Sequence, residues 1–236
     1  MIHQVVDLAD LYALKGSGGA EAQNLDALRA ADIPAGGSAA GKEVNSIDPF
    51  SYYVGRVMRS FGTDKSKSLL TDLSPYIDRD KKTIKSITGE VRWDYATGLV
   101  VVDSPCSKGA SGLLGKAGKV ALGDVTIESK NEYGSIHVIS LDGAPLSASK
   151  KILLQAFSEE QSYGWKVANG KIEDVGGPPL NVRNIEATIS LKLSGPLKAT
   201  ALDEHGYARK TIDPKIENGT VTITLPADSL YTIIEK

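Results

Sequence analysis

The sequence has little of several residues that would point to common classes of protein. Among its 236 residues Cys106 is the single cysteine, which excludes an internal disulfide and a cysteine-based zinc cluster. The 27 Lys and Arg are balanced by 29 Asp and Glu, so no excess of positive charge favours nucleic-acid binding. No apolar run approaches the roughly 20 residues of a membrane-spanning helix. Residues 1–7 lack the basic and apolar regions of a signal peptide.

Short alternating apolar and polar runs, separated by Gly, Pro, Asn and Asp, fill the chain from residue 48 onward. About a dozen such runs, spaced roughly 8–12 residues apart, predict an all-β antiparallel sandwich of jelly-roll or immunoglobulin-like type. The clearest unit is a hairpin in which residues 89–95 and 99–103 flank a loop that ends at Gly98. Residues 151–157 predict a further strand, and Asn169-Gly170 and Asn218-Gly219 predict two further tight turns.

The first part of the chain has a different composition. Residues 20–32 are rich in helix formers and predict a short amphipathic helix, which Gly-rich and Pro-rich stretches flank. We therefore divide the chain into a linker-like extension over residues 1–45 and a β-sandwich domain over residues 46–236. Residues 50–57 are predicted to form the first strand. Since the start shows no signal peptide, either the protein stays inside the cell or this chain is part of a longer protein, and we expect the second.

Three phrases in the predicted sandwich resemble a known family. They are Gly-Glu-Val-Arg-Trp-Asp with the following Gly-Leu-Val-Val-Val-Asp-Ser-Pro, Asp-Val-Thr-Ile-Glu-Ser-Lys-Asn-Glu-Tyr-Gly, and Leu-Pro-Ala-Asp-Ser-Leu-Tyr-Thr-Ile-Ile. They are similar to the C-terminal β-sandwich of large bacterial glycoside-hydrolase-like proteins, in which the sandwich follows a catalytic (β/α)-barrel. The resemblance covers about four-fifths of the chain.

The resemblance implies an accessory module of a carbohydrate-active protein, with a structural or a glycan-binding role. Its partners would be a (β/α)-barrel catalytic domain or carbohydrate, and it would be extracytoplasmic if the longer protein is secreted. The paired catalytic carboxylates of such proteins belong to the barrel. Glycosidase activity therefore transfers to no residue of this chain.

Two aromatic pairs are candidates for carbohydrate binding, since flat rings can serve as platforms for sugars. Trp93 and Tyr95 lie two residues apart in a predicted strand, so they share a face. Tyr163 and Trp165 repeat this spacing in another predicted strand. Packing between the sheets is the alternative, and it is favoured for Trp93.

Hydrolase chemistry remains an alternative. Ser111 lies among small residues that predict an exposed Gly/Ser loop, and with His137 or His205 and an acid such as Asp103 or Asp142 it would form a triad. The glycine after Ser111 comes one residue too early for the Gly-x-Ser-x-Gly motif. A plain flexible loop is the simpler interpretation.

Acidic residues suggest two further kinds of site. Glu90 and Asp103, with Asp94 between them, share the predicted hairpin and could pair as glycosidase carboxylates. Asp72, Asp78 and Asp80 offer hard oxygen ligands for Ca²⁺. A solvated turn is the simpler reading of these aspartates, since Lys81 and Lys82 follow them directly.

The sequence thus leaves two main functions open, with a protein–protein adhesion sandwich as a third possibility. The first is the noncatalytic sandwich module that the resemblance implies. The second is a small independent hydrolase of an ester, a lactone or a glycoside, with Ca²⁺ as the one cofactor that the residues suggest.

Overall fold

The computed structural model describes residues 48–57 and 72–236. The chain divides into two compact units, an N-terminal unit over residues 1–92 and a C-terminal unit over residues 93–236. The boundary predicted at residues 45/46 and the helix predicted over residues 20–32 lie outside the described residues. No helix in the described ranges is long and apolar enough to cross a membrane.

The described residues of the N-terminal unit form one helical turn and a small strand pair. They comprise α1 (Ser51–Val54), β1 (Ile77–Asp78) and β2 (Thr83–Lys85), and β1 pairs antiparallel with β2. The strand predicted over residues 50–57 is therefore wrong. The Asp48 carboxylate accepts a hydrogen bond from the Phe50 N–H (2.9 Å) and its carbonyl accepts one from the Ser51 N–H (2.9 Å), which turns the chain after Pro49 into a helix.

The C-terminal unit is built from two antiparallel sheets and two short ribbons, and β3 (Val91–Asp94) leads into it. In spatial order the larger sheet contains β4 (Leu99–Asp103), β5 (Ser107–Gly112), β8 (Gly134–Ser140), β9 (Lys151–Phe157), β19 (Tyr231–Glu235), β15 (Lys198–Leu202) and β16 (Ala208–Ile212). The smaller sheet contains β17 (Lys215–Glu217), β18 (Thr220–Thr224), β14 (Ala187–Lys192), β7 (Val125–Ser129) and β6 (Lys119–Leu122). The ribbons pair β10 (Glu160–Tyr163) with β13 (Gly177–Val182), and β11 (Lys166–Ala168) with β12 (Lys171–Asp174); a helical turn, α2 (Leu114–Ala117), precedes β6.

Alternating side chains of the two sheets form the interior. In the larger sheet Val138 and Leu154 face inward, and in the smaller sheet Ile127, Ile189 and Ile223 do the same; all five belong to one buried apolar cluster. Because successive side chains of a strand point to opposite faces, this alternation gives each sheet one apolar face to bury against the other. The predicted all-β antiparallel sandwich is confirmed.

The predicted turns lie where the sequence placed them. Asn169 and Gly170 both have positive φ (+53° and +72°), and so do Asn218 and Gly219 (+51° and +73°). Two consecutive residues of this kind define the type I′ turn that joins tightly paired strands. Gly98, at the last loop position between β3 and β4, has a φ of +72°.

The region around Ser111 is a strand, and the prediction of a flexible loop is wrong. β5 lies inside the larger sheet, with β4 on one side and β8 on the other. Its sequence, Ser-Lys-Gly-Ala-Ser-Gly, has neither the β-branched residues nor the apolar alternation of a typical strand. Pairing with β4 and β8 makes this segment a strand, and the local sequence does not predict that pairing.

Candidate functional site

Two of the candidate catalytic residues meet on the larger sheet. Ser111 on β5 lies directly opposite Ser135 on β8, and their hydroxyl oxygens are 2.7 Å apart. The Nε2 atom of His137 lies 3.2 Å from the Ser111 Oγ and 3.1 Å from the Ser135 Oγ. The sequence thus identified a serine and a histidine that are in hydrogen-bond contact, although it predicted the wrong local structure for the serine.

Gly109 makes room for this contact. It is the cross-strand partner of His137, and a Cβ atom at this position would lie 2.1 Å from the imidazole Nδ1. The imidazole ring therefore packs against the bare backbone of Gly109, and any larger residue at position 109 would displace the ring. Burial lowers the pKa of His137 from the ordinary 6.5 to about 4, so the imidazole is neutral at pH 7.

The proposed acids do not complete a triad. Asp103 is ion-paired with Lys108. Asp142 closes its own turn, where hydrogen bonds from the Lys150 N–H and the Ser140 hydroxyl hold the pKa of the carboxyl well below its usual range. Among the described residues no carboxylate is hydrogen-bonded to the Nδ1 of His137. The orienting acid that a serine nucleophile requires is missing from this contact.

The backbone around Ser111 is also unsuited to acyl transfer. An oxyanion hole needs free N–H groups beside the nucleophile. β5 is hydrogen-bonded on both sides, to β4 and to β8, so its N–H groups are used by the two ladders. The hydroxyl–imidazole contact therefore has the character of a polar network within a sheet.

His205, the other candidate base, lies in the turn between β15 and β16. Its backbone N–H donates to the Asp203 carboxylate (3.0 Å), and its ring lies 3.9 Å from Glu204 Oε1. The side chain is exposed.

Lys108 forms an ion cluster that the sequence did not indicate. Its ammonium group contacts the Asp103 carboxylate on β4 and lies 3.5 Å from Asp124 Oδ1, in the turn between β6 and β7 of the smaller sheet. The lysine side chain is 11% exposed. Asp103 is thus engaged in joining the two sheets, and only the tertiary structure brings the three charges together.

The remaining candidate carboxylates belong to local turns. Asp94 accepts hydrogen bonds from the N–H groups of Thr97 and Ala96 (3.0 Å each), which lowers the pKa of its carboxyl. Glu90 lies in the N-terminal unit, where its N–H donates to the Thr88 hydroxyl (3.2 Å). Neither carboxylate is drawn into a cluster of acids by these contacts.

Asp72 and Asp78 likewise close turns within the N-terminal unit. The Ser74 N–H donates to Asp72 (2.9 Å) and the Lys81 N–H donates to Asp78 (2.9 Å), which lowers the pKa of each carboxyl. Lys81 also forms an ion pair with Asp78, at 3.1 Å. In residues 48–57 and 72–236 no three His, Cys, Asp or Glu side chains form a group that could hold a metal. Asp72, Asp78 and Asp80 are thus not gathered into such a group.

The first aromatic pair is in contact, although Tyr95 lies in the turn after β3 and does not share the strand with Trp93 as predicted. The ring centroids of Trp93 and Tyr95 are 5.4 Å apart and their planes are tilted by 56°. Both side chains are half-buried, and neither belongs to the buried cluster between the sheets. The core position favoured for Trp93 is therefore not what the structure shows.

The second aromatic pair flanks a turn instead of sharing a strand. Tyr163 is the last residue of β10, Gly164 has a φ of +79°, and Trp165 follows before β11 begins. Tyr163 is 65% exposed and Trp165 is partly exposed. The prediction of one strand that holds both residues is wrong, because the positive φ of Gly164 reverses the chain between them. We call residues 162–165 the aromatic turn.

Comparisons of this chain with models of protein families, with curated proteins and with solved structures returned no match.

Proposed function

We propose that this chain contains a noncatalytic β-sandwich module of a carbohydrate-active, glycoside-hydrolase-like protein, and that the module binds glycan at the aromatic turn. The observation that carries the binding part is the exposure of Tyr163 beside Trp165, on a ribbon outside the buried sandwich interior. An exposed ring presents a flat apolar face that can stack on the C–H face of a sugar. The resemblance to sandwiches that follow a catalytic barrel supports the accessory role.

Polar groups at the ribbon suit a sugar ligand. β10 carries Gln161 and β13 carries Asn181 as its direct cross-strand partner, and both are exposed. Amide side chains can both donate to and accept from sugar hydroxyls. A ring platform with adjacent amides is thus available without any deep cleft.

Titration of the protein with a panel of polysaccharides, by affinity electrophoresis and calorimetry, tests the binding. We expect Trp165→Ala and Tyr163→Ala each to weaken binding about ten-fold, since a lost ring contact worth about 1.4 kcal/mol changes the affinity by that factor. Tyr207→Ala is the matched control, because Tyr207 is 72% exposed and lies in the β15–β16 turn instead. Absence of binding to every polysaccharide would leave only a structural role for the module.

The second candidate function is an independent hydrolase of an ester, a lactone or a glycoside. The contact between Ser111 and the neutral His137 imidazole favours it. The missing acid at Nδ1 and the paired N–H groups of β5 weigh against it. Chromogenic substrates of the three classes, assayed with and without a chelator, decide between the two functions. Turnover that Ser111→Ala abolishes would overturn the noncatalytic proposal.

A further inference from the structure

The aromatic turn has a defined backbone conformation. The Trp165 N–H donates to the Ser162 carbonyl across the turn, at 3.3 Å. Gly164, the third residue of the four, has a φ of +79°, and Tyr163 before it has no positive φ. These features correspond to a type II turn, which requires glycine at its third position. Tyr163 and Trp165 therefore leave the turn at fixed positions, one on each side of Gly164.

A second glycine lies directly against this turn. A Cβ atom on Gly176 would be 2.2 Å from the Tyr163 carbonyl oxygen and 2.8 Å from the Trp165 nitrogen. Both atoms belong to backbone, so no flexible side chain could move aside. Gly176 also has a φ of +65°, and its Cα would be 3.9 Å from a Cβ built on Gly164. The two glycines thus allow the backbone of the aromatic turn and the backbone at Gly176 to approach within van der Waals distance.

The residue after Gly176 leaves the tyrosine ring uncovered. Gly177 begins β13 and is the cross-strand partner of Tyr163. The side chain directly opposite on a neighbouring strand is normally the closest cross-strand contact of a ring. Here that side chain is absent, which is consistent with the 65% exposure of Tyr163.

From this geometry we propose that Gly176 is the positioning residue of the glycan site: it fixes the backbone between Tyr163 and Trp165 and so sets the relative placement of their rings. This inference rests on the proposed function for its ligand. Its structural part stands on the close approach alone. Substitution of Gly176 by alanine must displace the turn, because the added methyl group would overlap the carbonyl of Tyr163.

The experiment compares Gly176→Ala with Gly206→Ala. Gly206 has a similar positive φ (+86°), but a Cβ there meets nothing within 4 Å, so the control carries the backbone strain without the overlap. Both changes are made in a Trp93→Phe background, in which Trp165 is the remaining one of the two tryptophans. The readouts are the emission and acrylamide quenching of Trp165, the thermal unfolding midpoint, and the affinity for the polysaccharide that binds the unchanged protein.

We expect Gly176→Ala to alter the emission and quenching of Trp165 and to weaken glycan binding about ten-fold. Gly206→Ala should change neither, and the two variants should unfold at similar temperatures because neither site belongs to the buried cluster. Unaltered fluorescence or unaltered affinity in Gly176→Ala would overturn the positioning role alone. Failure of the unchanged protein to bind any polysaccharide would instead overturn the glycan-binding part of the proposed function, whatever the fluorescence shows.

Discussion

Strand β14 and the ribbon of β11 and β12 use similar apolar residues with opposite outcomes. On β14, Ile189 is fully buried and Leu191 is 1% exposed. On the ribbon, Val167 and Ile172 lie directly opposite each other, yet they are 55% and 57% exposed. Both segments are antiparallel β-structure, so strand formation does not by itself bury a side chain. Burial needs a second layer, and β14 has one.

The same contrast holds for the whole segment between β9 and β14. Six of the twelve exposed large hydrophobic residues of the described chain lie within residues 160–182. This segment has the apolar content of a strand pair and little of the packing that usually accompanies it. Such a ribbon depends on its turns for its shape, whereas the sandwich depends on its interior.

The largest expected loss of stability comes from a substitution in the buried interior around β14. Ile189→Ala removes a fully buried side chain between two sheets and should lower the free energy of unfolding by about 2–5 kcal/mol. Urea unfolding followed by circular dichroism measures the change. A loss below about 1 kcal/mol would mean that the interior around β14 is not packed as described.

Acid should weaken the larger sheet through His137. The folded state holds the pKa of this imidazole at about 4, whereas the unfolded chain titrates at the ordinary 6.5. The unfolded state therefore binds the proton first, and the stability falls as the pH drops from 6.5 toward 4, by about 3 kcal/mol in all. Above pH 6.5 the imidazole contributes no pH dependence.

The measurement is the free energy of unfolding between pH 4 and pH 7 for the wild type and His137→Gln. The amide can still bond the two serine hydroxyls, but it does not titrate. The difference between the two curves isolates the imidazole from the carboxylates. Parallel curves over this range would contradict the buried, neutral state of His137.

Loss of the Asn131 side chain should lower the free energy of unfolding more than loss of the Asn181 side chain on the ribbon. The buried Asn131 accepts from the Glu186 N–H (2.8 Å) and donates to the Asn184 carbonyl (2.8 Å), which ties β7 to the chain that enters β14. Asn131→Ala leaves these groups unpaired and should cost about 1–3 kcal/mol of stability. Asn181→Ala, at an exposed ribbon position, is the control, and urea unfolding compares them. If Asn131→Ala lowers the free energy of unfolding as little as Asn181→Ala does, the Asn131 hydrogen bonds are dispensable.

The smallest change in stability is expected from a substitution on the exposed ribbon of β11 and β12. Ile172→Ala should change the free energy of unfolding by no more than about 0.5 kcal/mol, because a side chain that is 57% exposed gains little on folding. The urea unfolding midpoint and its slope give the value. A loss as large as that of Ile189→Ala would show that the ribbon is buried in solution.

The strands that the sequence predicted well have strong local signals. β9 begins and ends at the predicted Lys151 and Phe157, and the Asn-Gly pairs give the predicted type I′ turns. Turn residues and the alternation of apolar and polar residues involve only a few consecutive positions, so they can be recognised from the sequence alone. The tight turn between β6 and β7 likewise has a glycine, Gly123, with a positive φ (+62°).

The candidate site was less predictable, because its contacts join residues far apart in the sequence. The Ser111–His137 contact exists because β5 and β8 are neighbours in one register, with Gly109 under the ring. The ion cluster of Lys108 joins one sheet to a turn of the other. Tyr163 lies opposite a glycine, Gly177, in another strand. None of these pairings has a local signal.

The order of apolar and polar residues, together with the glycines and asparagines that permit positive φ, determined by itself that this chain forms antiparallel strands joined by tight turns. Only the tertiary structure decided which strands become neighbours and which faces are covered. The reason is physical: backbone conformation is a property of a few consecutive residues, whereas burial, ion pairing and the pKa of His137 depend on what the rest of the chain places beside them.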